Sequence, residues 1–285
     1  MEVRRTHGDV YTSDDYTEIS PTIAALAVAI LLPCLYRLYR VLRADFDAFL
    51  RDSQHLDETI AEVQRLGFAE LFPASNTHDA MAMLLECKDQ QSLAASAGCM
   101  AGDLTYGELD LRSIAKLFGA LKSDATLKLP ERPHFVDLGS GNGRMVLAAA
   151  LLTPLTSATG VELVRSLHVS ALERLARYKD CRSQLPDERS GCEVRFRHGN
   201  MLEFDLSKSD VVFALSTAFC DATMVKLFKH AEKTMRAGAL LVLCDQVTRS
   251  TRFSCVSEIG YRSERGERRD ASWGAGTLRV LVKRS

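Results

Sequence analysis

Hydrophobic positions follow two rhythms along the chain, a helical spacing of three to four residues and a series of short unbroken runs, and they change over near residue 130. Before that point Leu56, Ile60, Val63 and Leu66 mark one helical face that stops at Gly67, a residue suited to ending a helix. Pro73 to His78 is polar and predicts a loop, with Asn76 or Thr77 as N-cap of a helix over Asp79 to Gln90. Ala94 to Gly102 is made of small residues and predicts a linker. Leu111, Ile114, Ala115, Leu117 and Phe118 then form the apolar face of an amphipathic helix.

Past residue 130 the pattern shortens. His134–Leu138, Ser157–Glu162, Glu193–His198, Asp210–Leu215 and Leu240–Asp245 predict five strands. Helical stretches over Met145–Leu152, Leu163–Tyr178 and Asp221–Arg236 separate them, with a charged connection over Lys179–Gly191. Phe253–Arg262 and Gly276–Lys283 predict an antiparallel closing pair, with Trp273 between them. Strands alternating with helices predict an α/β fold, a doubly wound, mostly parallel sheet of seven strands preceded by a helical N-terminal region over 44–100. The domain proper is expected over 101–285.

The first 43 residues stand apart. Residues 1–20 are polar, unpatterned and expected to be a disordered tail. Residues 21–43 predict an apolar helix: Ile23 to Leu35 carries no charge, and Pro21 to Leu42 reaches across a bilayer if Arg37 and Arg40 snorkel. Two readings stand, a membrane anchor through 21–42 with the main domain cytosolic, or a helix packed on protein. Composition adds bounds. The chain is 46% hydrophobic and 26% charged, as in soluble globular proteins, and its net charge of −1 gives no global pull toward nucleic acid. From Arg249 onward nine Lys/Arg face four Asp/Glu, a local basic excess that suits phosphate or an acidic protein, or is a solvated face. Eight cysteines include no Cys-x-x-Cys pair and no zinc spacing, so no metal is expected and a reducing compartment is.

The chemistry concentrates after the first strand, in Val136-Asp137-Leu138-Gly139-Ser140-Gly141-Asn142-Gly143-Arg144. Glycines permit positive φ and leave no Cβ between backbone and ligand. A dinucleotide fingerprint needs Gly-x-Gly-x-x-Gly, but the third glycine comes one position early, and the Gly-Lys-Ser/Thr of a Walker loop is missing. An acid directly before Gly-x-Gly-x-Gly suits a zwitterionic methionine tail, whose ammonium wants a carboxylate and whose carboxylate wants backbone N–H groups. The second strand ends at Glu162, placed either to accept from ribose hydroxyls or to cap the helix that follows. Asn200 and Met201 follow the third strand, where a side chain meets an adenine edge and face. Arg144 contacts the cofactor carboxylate or caps the turn.

From about residue 100 to its end the chain resembles the disruptor-of-telomeric-silencing family, the non-SET histone lysine methyltransferases. The resemblance rests on Thr105-Tyr106-Gly107-Glu108, Val136 to Gly143, Gly160-Val161-Glu162, Gly199-Asn200-Met201-Leu202, Val211-Val212-Phe213 with Ala218-Phe219, and Ser272-Trp273-Gly274. It implies a class I methyltransferase fold with S-adenosylmethionine as cofactor. It further implies that Tyr106 and Glu108 lie in a loop over the cofactor, Asp137, Gly139, Gly141 and Gly143 at its methionine part, Glu162 at its ribose, and Phe213 and Phe219 along the pocket. Three positions depart from the family pattern: Asn200 replaces an aspartate, Leu215 an asparagine, and Val280 a tyrosine.

Methyl transfer to a lysine needs positioning and a neutral amine, which an apolar channel favours by penalising the charged form. Tyr106, Phe213, Phe219 and Trp273 are the channel candidates, ordinary core packing being the alternative, and no general base is required. The expected activity is protein-lysine N-methyl transfer, with histone H3 or the nucleosome as substrate, in the nucleus or cytoplasm. Two alternatives stay open, a class I methyltransferase for a non-histone, membrane-associated protein, and a cofactor-binding module without turnover.

Overall fold

The computed structural model of the chain describes residues 54–72, 90–247, 250–262 and 275–285. The tail over 1–20, the apolar stretch over 21–43, the loop expected over Pro73–His78 and the helix expected over Asp79–Gln90 except for its last residue, and Trp273 lie outside the described residues. The proposed membrane span lies there too; among the described residues no helix is long and apolar enough to cross a membrane.

Seven strands make one sheet. They are β1 (His134–Leu138), β2 (Ser157–Glu162), β3 (Glu193–His198), β4 (Val211–Ala214), β5 (Leu240–Cys244), β6 (Phe253–Arg262) and β7 (Ala275–Lys283). Their order is β3-β2-β1-β4-β5-β7-β6. The first five pair in parallel, and β7 runs antiparallel between β5 and β6. The order reverses between β1 and β4, so the carboxyl ends of these strands open a crevice where ligands of such folds bind. Continuous apolar runs produce this arrangement, since Val211–Ala214 and Leu240–Cys244 are wholly buried and need cover on both faces.

Around the sheet lie α1 (54–65), α2 (Phe68–Leu71), α3 (Gln90–Ala97), α4 (Leu111–Ser123), α5 (Arg144–Leu152), α6 (Arg165–Arg182), α7 (Asp187–Ser190) and α8 (Asp221–Thr234). Helix α4 starts where the Asp110 carboxylate accepts from the Ser113 N–H at 2.6 Å, and it buries Ile114, Leu117, Phe118 and Leu121. Helix α5 is buried along almost its whole length, as a helix between sheet and outer layer must be.

Two expectations are corrected. The small-residue linker over Ala94–Gly102 is in fact the end of α3, followed by a 3-10 turn over Ala101–Leu104. Alanine is the strongest helix former, so a stretch with little apolar periodicity still coils when its end is capped. Gly98 (φ +70°) closes α3, and the Asn200 side-chain amide and the Lys226 ammonium donate to the carbonyls of Ala97 and Gly98. The charged connection over Lys179–Gly191 likewise belongs to helix, α6 running to Arg182 and α7 following.

Candidate functional site

A cavity opens at the carboxyl ends of β1, β2 and β4, under the segment from Asp103 to Leu109. Of the residues singled out from sequence, Tyr106, Glu108, Asp137, Gly139, Gly141 and Glu162 line it. Asn200, Met201, Phe213 and Phe219 line it as well. Gly143 does not: it is the left-handed N-cap of α5 (φ +89°), and a Cβ there would lie 2.5 Å from the Phe196 ring, so its part is close packing against β3. Val280 pairs with Val242 in the interior of the sheet, fully buried and away from the cavity, whereas Leu215 lines it.

The register places the two acids. Asp137 pairs with Gly160 and Phe213, and Glu162 ends the neighbouring strand. Both are buried. Burial, then the charge of Glu162, pushes the Asp137 carboxyl well above the usual carboxylate range, and among the described residues no hydrogen bond to its side chain offsets this. Burial also raises Glu162, opposed by backbone N–H groups. Gly141 and Val164 donate to its two oxygens at 2.7 and 2.8 Å.

Those bonds alter the expected role of the glycine turn. The Gly139 and Ser140 amides donate to the Val161 carbonyl at 2.9 and 3.0 Å, the Gly143 amide to Ser140, and the Gly141 amide to Glu162. A turn whose amides are spent this way contributes shape rather than a row of donors. At Gly141 the shape is stringent, with φ +53° and the Tyr106 ring 2.6 Å from where a Cβ would stand. Ser140 is a cavity residue that sequence reading missed. Its hydroxyl, buried against Gly160, has no hydrogen-bond partner among the described residues.

The loop over the turn is latched. Tyr106 donates its hydroxyl to Glu108, and the Asn142 side-chain amide donates to the same carboxylate at 2.9 Å. Arg144 lies 3.6 Å from Glu108, donates to the Leu109 carbonyl at 3.1 Å, and sits over the rings of Phe68 and Phe72 at 5.2 and 5.5 Å. Arg144 lines the cavity and also braces α2, the loop and α5 together. Asn142 carried no signal in the sequence beyond its place between glycines.

Asn200 is committed as well. Its amide nitrogen donates to Ala97 at 3.1 Å and to Glu203 at 3.3 Å, while its oxygen accepts from the Leu202 N–H at 3.0 Å. An aspartate there would have no donor for the Ala97 carbonyl, which accounts physically for asparagine at this position.

Of the basic excess after Arg249, the described side chains turn to the protein's own acceptors: Arg279 to Glu258 at 2.8 Å, Arg252 to Ser285 at 3.1 Å, Lys283 to Glu232 at 2.5 Å. Among the described residues no group of three or more His, Cys, Asp or Glu could hold a metal ion.

Comparison with known proteins completes the description. The chain is similar in structure to an RNA methyltransferase from Salinibacter ruber solved with S-adenosyl-L-homocysteine, at 20% identity and TM-score 0.42, over 60% of this chain and 91% of that one. It is similar to the B. subtilis M1A22 tRNA methyltransferase TrmK at 13% identity and TM-score 0.43, over 63% of this chain and 67% of that one. A SAM-dependent methyltransferase from Thiobacillus denitrificans, also with S-adenosyl-L-homocysteine, aligns at 13% identity and TM-score 0.40, over 64% of this chain and 96% of that one. No curated protein matches the chain. The family model described as histone methylation protein DOT1 matches residues 99–261, more than half of the chain and the segment that builds the cavity. The chain belongs to this family of S-adenosylmethionine-dependent methyltransferases.

Proposed function

We propose that the chain is a protein-lysine N-methyltransferase of the non-SET type, acting in the nucleus on a histone, with histone H3 in the nucleosome as its substrate. The observation that carries this reading is the family match over 99–261, which spans the loop at Tyr106, the turn at Asp137 and the strand end at Glu162.

The residues present fit an amino-acid-bearing nucleoside. Glu162 accepts from the backbone amides of Gly141, Val164 and Leu163, and of about four lone-pair sites it keeps capacity for a ribose hydroxyl. Asp137 offers a carboxylate without a hydrogen bond to an ammonium, which would relieve the cost of its burial. Asn200 retains capacity only at its oxygen, so Met201 carries more of the adenine contact than sequence reading assigns.

S-adenosylmethionine, when bound, supplies an activated methyl group on a sulfonium. The chain's own part is to orient the cofactor, exclude water and admit a neutral amine. Phe213, fully buried, and Phe219, beside Leu215, give the apolar wall that disfavours a charged amine. No side chain is needed to hold a proton at the reacting nitrogen, which loses it to solvent beforehand.

Transfer of radiolabelled methyl groups to nucleosomes, free histones and a membrane extract tests the proposal. Label on H3 lysine, greatest on nucleosomes, is expected. Label confined to the membrane fraction, or cofactor binding without label on any fraction, contradicts it.

A further inference from the structure

Beside the cavity stands a polar cluster that the cofactor reading leaves unused. Asp245 follows β5 with φ +57°, a left-handed conformation that residues other than glycine adopt at a cost. There its carboxylate accepts from the Thr277 N–H at 2.8 Å, from the Tyr261 hydroxyl, and from the Thr217 hydroxyl at 3.4 Å. Gly276 leaves the necessary space, since a Cβ there would strike both carboxylate oxygens and the Tyr261 hydroxyl. A strained backbone and a missing side chain thus both serve to hold one exposed carboxylate in place.

The cluster shares a wall with the cavity. Thr217 lies between Leu215 and Phe219, both lining residues, and the Ser216 hydroxyl ties that segment to Cys244 at 3.0 and 3.1 Å. Tyr261 belongs to the same apolar cluster as Ile114, Met145 and Phe213, which line the cavity from its other sides. Burial and the hydrogen bond to Asp245 keep the Tyr261 phenol protonated, a permanent donor.

We propose that Asp245, held by Tyr261, Thr217 and Thr277, docks the positively charged amine of the methyl-accepting substrate at the edge of the cavity. The proposal rests on the reading of the cavity as the methyl-donor site. An amine arrives as ammonium and needs a counter-charge before it reaches the apolar wall of Leu215 and Phe219, where only its neutral form is well accommodated. The carboxylate stands where that charge is required, and its donors fix its direction without exhausting its lone pairs.

Two variants test it. Asp245→Asn keeps the volume, and asparagine tolerates left-handed backbone; Asp245→Gly removes the carboxylate in the residue best suited to this φ. Both are expected to raise KM for nucleosomes about tenfold, as for one lost charge-assisted contact, while S-adenosylhomocysteine affinity stays within about twofold. Independently of turnover, n-butylammonium chloride should give a saturable shift of the Thr277 amide resonance in the wild-type chain and none in D245N, with n-butanol silent in both. KM within about twofold of wild type in both variants, or the same amine response in D245N, overturns the proposal. A wild-type chain that transfers no methyl group refutes the proposed function instead, and the amine titration still decides the role of Asp245.

Discussion

Asp137 and Glu162 are two buried carboxyls that face one space, and in the free protein their ionisation works against the fold. Both native pKa values are raised, so the native state holds protons that the unfolded chain has released. Stability therefore falls as pH rises from the ordinary carboxylate range, about 4, toward the raised native values. Asp137→Asn removes the larger penalty. It is expected to raise the thermal midpoint of the ligand-free protein at neutral pH, a gain that closes below about pH 4, and to weaken cofactor binding. Thermal unfolding across pH checks the first expectation and calorimetry the second; a midpoint lowered at neutral pH would contradict it. The acids and glycines were legible in the sequence because their spacing along strand and turn is itself the chemical signal. Ser140, Asn142 and Arg144 carry no periodicity, and their roles appear only once the turn, the loop and α2 meet.

At the scale of elements, the loop over the cavity is held by a chain of contacts that begins outside the family match. Arg144 braces Glu108 from one side and stacks on Phe68 and Phe72 from the other. Arg174 on α6 lies over Phe72 at 5.3 Å and donates to the Leu71 carbonyl at 3.2 Å. The short helix α2 thus sits between two buried guanidinium groups and transmits its position to the loop. Arg144→Met removes one cation from beside buried Glu108, Arg174 being another, a change that costs up to about 3–5 kcal/mol. The variant is expected to unfold at lower denaturant and to bind cofactor more weakly through a loosened loop; unchanged unfolding would show that the brace is dispensable. From sequence the helix before Gly67 was readable by its spacing, but not the packing of Phe68 and Phe72. The end of α3 was misread because alanine and serine carry little apolar rhythm, while the donors that cap it, Asn200 and Lys226, come from over a hundred positions away.

At the scale of the whole molecule, the α/β class and the seven mostly parallel strands follow from alternation, whereas their order does not, because more than one doubly wound order fits it. Parallel strands joined by helices must place those helices on both faces, and the final hairpin inserts β7 beside β5, closing the sheet. The layering and the closing pair were legible; the point between β1 and β4 where the order reverses was not. Substrate choice is less legible still, because the proposed docking carboxylate of Asp245 is set by contacts with Thr217, Tyr261 and Thr277 that no spacing in the sequence announces. The proposed reaction requires that the turn after Asp137 cradle S-adenosylmethionine. Calorimetric titration of S-adenosylmethionine into the full-length chain and into Gly141→Arg tests it most directly. Saturable binding near one equivalent to the wild-type chain, lost in the variant because a side chain at φ +53° must displace Tyr106, is the result expected. No heat with the wild-type chain, or equal affinity in both proteins, would contradict it.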